Sequence, residues 1–389
     1  MRELPRTPIC DLLGIRYPIV QAGMGAPKGG PTTPGLVAAV SEAGGLGCLG
    51  AMGFSPDELR AAIMDIRQRT DRPFGVDLIL PTRLPVGYES RDAARDAISR
   101  EHPAHQAFRE DLAGHYALPD AKMADSEVIS PAQITAQIDV VLEENVPVFV
   151  AGLGDPAQVA EEAHRRGIIV MGLAGSVRNA ARQKAAGVDV VIAQGTEAGG
   201  HTGAIGTMAL VPQVVDAVGP LPVLAAGGIG DGRGLIAALA LGATGVWCGT
   251  AFLFAEESGL PEVQREQLRR GMPDDFVVST SYTGKPARQY KNEVVTSWSE
   301  SGLPSLGMPL QTVLMDDFVA AAQAAGRFEL TSNPGGQIAG MLNEIVPAAE
   351  IARRIVQGAE AELDRLDRLS AGLATKPRLA SPAAAPPGS

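Results

Sequence analysis

Aromatic side chains are scarce in this chain: Phe, Trp and Tyr together make up 4% of it. Its interior must therefore be filled by Ala, Val, Leu and Gly, a packing suited to helices laid on a parallel sheet. Cysteine is scarcer still. Cys10, Cys48 and Cys248 are far apart and two fall inside apparent strands, so they read as small buried hydrophobes, not disulfide partners. No apolar run approaches the ~20 residues that cross a bilayer, and no signal-peptide pattern is present; a cytoplasmic protein without a membrane partner is expected. Positive charge is in deficit, 33 Lys and Arg against 44 Asp and Glu, for a net charge of −11. With no basic cluster, a nucleic-acid surface is excluded. No His, Cys or carboxylate spacing suggests a metal, Glu197 alone being insufficient. There is also no GxSxG elbow and no lone activated Cys.

What the chain does have is a regular alternation of strand and helix. Hydrophobic residues make up 45% of its 389 positions, enough for a large α/β core. Strands are read at Tyr17–Ala22, Leu46–Gly50, Pro73–Leu80, Pro147–Gly152, Ile168–Leu173, Val188–Gln194, Pro222–Ala226 and Thr244–Cys248. Helix-sized intervals separate most of them. Pro34–Ala43 has proline at its start and Gly44-Gly45 at its end, and Ser55 caps the next with acids behind it. Alternating units return the chain to the same end of the sheet and require parallel strands. Eight such units predict a closed (β/α)₈ TIM barrel with its site at the carboxyl ends of the strands. A doubly wound open sheet is the structural alternative.

Two segments depart from the beat. Pro81–Ser130, after strand three, is polar and holds His102, His105 and His115; it is either a lid over the site or a plain surface insertion. Beyond Phe252 comes an extension of charged helix and irregular polar segments. There Phe276–Ser279 is strand-like, Thr280–Asn292 is a loop or short hairpin, and Ile345–Leu369 is a long amphipathic helix. The expected organisation is a barrel over residues 1–258, an extension over 259–372 packed on it, and a disordered tail over 373–389.

The chemistry gathers in glycine-rich turns. Val188–Gly203 (VDVVIAQGTEAGGHTG) joins a buried strand to a turn carrying His201. Ala198, Gly199, Gly200 and Gly203 leave few side chains to cover that imidazole, so proton transfer is its best chemical fit; a hydroxyl or backbone partner in a crowded loop is the plainer reading. The second turn is Ala225–Gly234 (AAGGIGDGRG), and Gly249-Thr250 closes the strand after it. Backbone N–H groups of Gly227, Gly228, Gly249 and Thr250 lie where a barrel's phosphate site forms. The competing reading is that these glycines only turn the chain.

Gln21-Ala22-Gly23-Met24, AVSEAGGLGCLG, TEAGGHTG, AAGGIGDGRG and ALALGATGVWCGTAF occur in that order, and so arranged the chain resembles the nitronate monooxygenase (2-nitropropane dioxygenase-like) family of FMN-dependent barrels. The likeness runs from about Leu12 to Ser258, interrupted by the insertion, with a weaker echo through TGKPAR and PGGQIAG. The resemblance implies FMN contacts from Ala22, Gly23, Met24, Asp77, Gln194, Gly199 and Gly200. It places the phosphate against Ala226, Gly227, Gly228, Gly249 and Thr250, and makes His201 the catalytic residue. Family members commonly carry Asn where this chain has Asp77; a carboxylate cannot donate as an amide does, and would repel an anionic reduced flavin. The implied activity is oxidation of alkyl nitronates with O2. Alternatives are an NAD(P)H-dependent enoyl-thioester reductase, an acyl-CoA dehydrogenase of steroid-ring degradation, an NADH:quinone reductase and, in a different class, a phosphate-binding barrel without redox chemistry. The partners implied are a small-molecule substrate, nitronate or acyl thioester, with O2 or NAD(P)H; a homodimer is compatible.

Overall fold

A computed structural model describes residues 3–25, 30–80, 90–123 and 131–374. Parallel strands β1 (Ile19–Gln21), β2 (Leu46–Gly50), β3 (Phe74–Leu80), β4 (Val148–Gly154), β5 (Ile169–Ala174) and β6 (Val190–Gln194) follow the predicted order. A two-residue strand, β7 (Gly200–His201), precedes β8 (Val223–Ala226) and β9 (Gly245–Cys248). The barrel closes as β1-β2-β3-β4-β5-β6-β8-β9, with Ile19 opposite Val246 and Gln21 opposite Cys248. Closure rules out the open doubly wound sheet.

The strands alternate between two cores, as a period of two requires. Val20, Cys48, Val150, Met171, Ile192, Leu224 and Trp247 fill the barrel, plugged from below by the helix Pro8–Leu13 through Ile9 and Leu13. Their neighbours Ile19, Leu49, Phe149, Val191, Ala225 and Val246 pack outward under the helices. All three cysteines are buried and free; burial pushes the Cys248 thiol up to about 12, so it stays neutral. Capping follows the sequence: Ser55 and Glu58 form a capping box at the helix Pro56–Arg69. The final helix, Ala348–Ala374, lies against the helix Gly232–Ala240. A Cβ on Gly232 would sit 2.0 Å from the Ala359 nitrogen, so only glycine permits that approach.

The insertion and the extension pack on each other. Its described part carries helices Arg91–Glu101 and Pro103–His115, whose Ala94, Ile98 and Leu112 share a core with Val313, Leu314 and Phe318 of the helix Leu310–Ala324. Arg95 clamps Asp317 through Nε at 2.9 Å and Nη2 at 2.7 Å. His105 is buried there, its Nε2 2.8 Å from the Pro304 carbonyl oxygen. From the same core emerges an antiparallel hairpin, β10 (Phe276–Ser279) and β11 (Ala287–Tyr290). The remainder of the insertion, 81–89 and 124–130, and tail residues 375–389 lie outside the described residues.

Candidate active site

The barrel's period of two determines what faces the mouth. Above Val148 and Val150 the next inward position on β4 is Gly152, and above Val190 and Ile192 on β6 it is Gln194. Register sets Asp77 opposite Gly50 and Val150, one inward position below Gly152, and Gln194 opposite Ala226. The upper layer is thus small or polar where the layers below are Val, Ile, Met and Trp. A Cβ on Gly23 would lie 2.3 Å from the Asp77 Cβ, and one on Gly152 2.3 Å from Asp77 Oδ1. These two glycines make the room the carboxyl occupies. Burial pushes that carboxyl well above the usual carboxylate range, with the Gly152 backbone N–H pulling the other way. Among the described residues it forms no ion pair.

His201 is held from both sides. Gln194 Nε2 donates to its carbonyl oxygen at 3.1 Å, and β7 pairs with β11 so that His201 opposes Ala287. Its Nε2 lies 3.3 Å from Thr283 Oγ1, while the residue stays open to solvent. Partial desolvation of the ring, and after it the Lys285 charge, hold its pKa below the ordinary histidine value. Gly199 meets the Gly335-Gly336 backbone, where a Cβ would come within 2.7 Å of the Gly335 carbonyl carbon. Gly200 takes φ +74° with open space around it. Glu197 accepts from the Thr207 backbone N–H at 2.9 Å, capping the helix Thr207–Val218. Buried Arg288 donates through Nε to the Thr196 carbonyl at 2.9 Å and through Nη1 to that of Phe276.

Beside the histidine loop lie the glycine turns, with Gly227 against Gly195 and Ala198 and Gly228 against Glu197. Gly227 and Gly228 have φ of +99° and +71°, and a Cβ on Gly227 would press within 2.9 Å of Thr207 Oγ1. Gly249 faces Ala22 and Met24: its Cβ would meet Ala22 Cβ and Met24 Sδ at 3.5 Å. Thr250 Oγ1 accepts from the Gly336 N–H at 2.9 Å. The start of the following helix is not free for an anion, because Asp231 caps it through Arg233 N–H at 3.0 Å and Gly234 N–H at 3.3 Å. A phosphate here would rely on the turn amides alone.

The sequence profile of the family described as nitronate monooxygenase matches residues 6–358. The chain belongs to the nitronate monooxygenase family. It is 39% identical to the probable nitronate monooxygenase of Staphylococcus saprophyticus, over 85% of this chain and 91% of that protein. Among solved structures it matches nitroalkane oxidase from Streptomyces ansochromogenes with a TM-score of 0.77 at 30% identity, covering 92% of this chain and 99% of that one. It also matches FabK from Thermotoga maritima, TM-score 0.74 at 34% identity, over 94% and 100%. The protein is a flavin-dependent oxidoreductase.

Within this nitronate monooxygenase fold, Ala22, Asp77, Gln194 and Ala226 share the inward layer of the mouth. Gly23, Met24, Gly249 and Thr250 border it, and the His201 loop joins it through Gln194. Sequence reasoning missed Gly50 and Gly152, which counting in twos from Cys48 and Val150 would have found. It put TGKPAR in a loop or short hairpin and noted PGGQIAG as a weak echo, without bringing either to the site. The first brings Thr283 and Lys285 to His201, and the second seats Gly335 and Gly336 on Gly199 and Thr250. Only the barrel's closure and the extension's return reveal those contacts.

Proposed function

We propose that this protein binds one FMN and oxidises alkyl nitronates with O2, with His201 as its proton-transfer residue. The observation that carries the reading is His201 itself: its backbone carbonyl held by Gln194, its imidazole set against the Thr283 hydroxyl, kept below its ordinary pKa, and open beside a mouth of small residues. The residues present fit a phosphate-bearing planar cofactor. Gly227 and Gly228 turn their backbone through conformations that side chains avoid, and with Ala226, Gly249 and Thr250 they would hold the phosphate. Ala22, Gly23, Met24, Asp77, Gln194, Gly199 and Gly200 would border the ring. No second glycine fingerprint serves an adenine half, which favours FMN over FAD. Bound there, the flavin would supply the two-electron acceptor that O2 re-oxidises.

The chain's own part is proton management. A neutral imidazole can accept the α-proton of a neutral nitroalkane, whereas a nitronate arrives without it; a positioned base is worth about 10²–10⁴-fold. The insertion, braced on the extension, would cover the mouth and shape substrate choice. Heat or acid release followed by chromatography tests the cofactor: FMN at about one per chain is expected, and FAD or no flavin would contradict the site. Reduction of the flavin by NADH or NADPH, with nitronates inert, would instead favour the enoyl-thioester reductase reading.

A further inference from the structure

Among the described residues, one cation beside His201 is uncommitted. Thr283 and Lys285 stand in the turn that leads into β11, and Ala287 begins the strand. The first meets the imidazole through its hydroxyl at 3.3 Å, and the last is its register partner. Lys285 is therefore fixed in backbone between two contacts with the histidine. Its N–H also donates to Thr283 Oγ1 at 3.3 Å. The turn before it is closely packed: Gly284 has φ +73°, donates to the Thr280 carbonyl at 2.9 Å, and sits so close to the Leu306 carbonyl oxygen that a Cβ would come within 2.3 Å.

The other charges around the histidine are engaged or remote from it. Arg288, on the same hairpin, is buried and bonded to the Thr196 and Phe276 carbonyls. Glu197, on the histidine's own loop, is bound to Thr207 N–H and hydroxyl. Asp77 is on β3 in the mouth, between Gly23 and Gly152. Lys285 is exposed and, among the described residues, no carboxylate forms an ion pair with it.

We propose that Lys285 is the anion-selecting residue of the His201 site, binding the planar two-oxygen anion of a nitronate or carboxylate next to the imidazole. The inference rests on the reading of the mouth as the substrate site. Its chemistry is twofold. An ammonium attracts the anionic substrate into the mouth, and the same charge opposes protonation of His201, leaving the ring neutral and able to take a proton. One lysine would thus favour the anion as ligand and keep the imidazole beside it uncharged.

The test uses the holoprotein and isobutyrate, which shares the carbon skeleton and planar anion of propane-2-nitronate but offers no redox chemistry. Calorimetric titration with isobutyrate and with neutral isobutyramide is compared for wild type, Lys285→Met and Lys285→Arg. Lys285→Met should weaken isobutyrate by roughly fivefold, the scale of a partly solvated ion pair, and leave isobutyramide unchanged; Lys285→Arg should restore most of the loss. The His201 ring followed by NMR should titrate at higher pH in Lys285→Met than in wild type. The proposal is overturned if wild type does not bind isobutyrate, if acid and amide weaken equally, or if the His201 titration does not move. Because isobutyrate is not oxidised, intact anion selection with no nitronate turnover would sink the proposed reaction and leave Lys285's role standing.

Discussion

Asp77 is the residue at which this chain's chemistry is most its own. Two glycines open the space it fills, and it has neither a cation beside it nor a full shell of donors. Its raised pKa gives the effect on a bound flavin a sign that depends on pH. Below that pKa the group is neutral and resembles an amide; above it, its charge disfavours a second negative charge on the reduced ring. Asp77→Asn should therefore raise the midpoint potential at high pH and converge with wild type as pH falls through the Asp77 titration. Potentiometry of both holoproteins across that range checks it, and identical potentials throughout would mean the carboxyl does not face the ring. This residue was visible in the sequence only as a departure from the family's Asn. Its burial and lack of an ionic partner required the barrel, because Gly23 and Gly152 lie 54 and 75 positions from it in sequence.

At the scale of elements, the hairpin matters most, since it brings Thr283 and Lys285 to a histidine some eighty residues earlier. It is braced from behind. Gln311, on the helix Leu310–Ala324, donates to the Ser281 carbonyl at 2.5 Å and accepts from the Leu306 N–H at 2.9 Å. The same helix presents Asp317 to Arg95 of the insertion and to the Met123 N–H at 3.1 Å. Asp317→Ala would remove two bonds from the mostly buried Arg95 guanidinium, leaving it Asp92 at 2.7 Å and the Met123 carbonyl at 2.8 Å, and hydrogen bonds to charged groups are worth about 1.5–3 kcal/mol. Chemical denaturation should show that loss in the packed insertion and extension, with the barrel's own transition less affected; an unchanged profile would mean insertion and extension are not energetically coupled. The eight barrel strands were legible because each is a short β-branched or small apolar run between turn signals. The strand at Phe276–Ser279 was legible for the same reason. The two-residue β7 was not, since GH between glycines has no periodicity and becomes a strand only because β11 pairs with it. The helices of the insertion were obscured by their polarity: they bury only narrow stripes, against another part of the chain.

Over the whole molecule, the barrel gathers strand ends and turns from separated stretches at one end, and the extension comes back over them. That closure explains why glycine recurs at the mouth: Gly23, Gly152, Gly199 and Gly227 each lie where a Cβ would strike a neighbour within 3 Å. It also explains why His201 stays reachable, its loop carried on the rim and pinned by Gln194 below and the hairpin above. The most direct measurement of this account is anaerobic stopped-flow reduction of the bound flavin by a nitronate and by its parent nitroalkane, in wild type and His201→Asn. The account predicts rapid reduction of wild type by the nitronate. It predicts a loss in the variant of about 10²–10⁴-fold with the neutral nitroalkane and much less with the nitronate, with flavin content unchanged. Equal losses on both substrates, accompanied by loss of the flavin, would contradict it and leave His201 a structural residue.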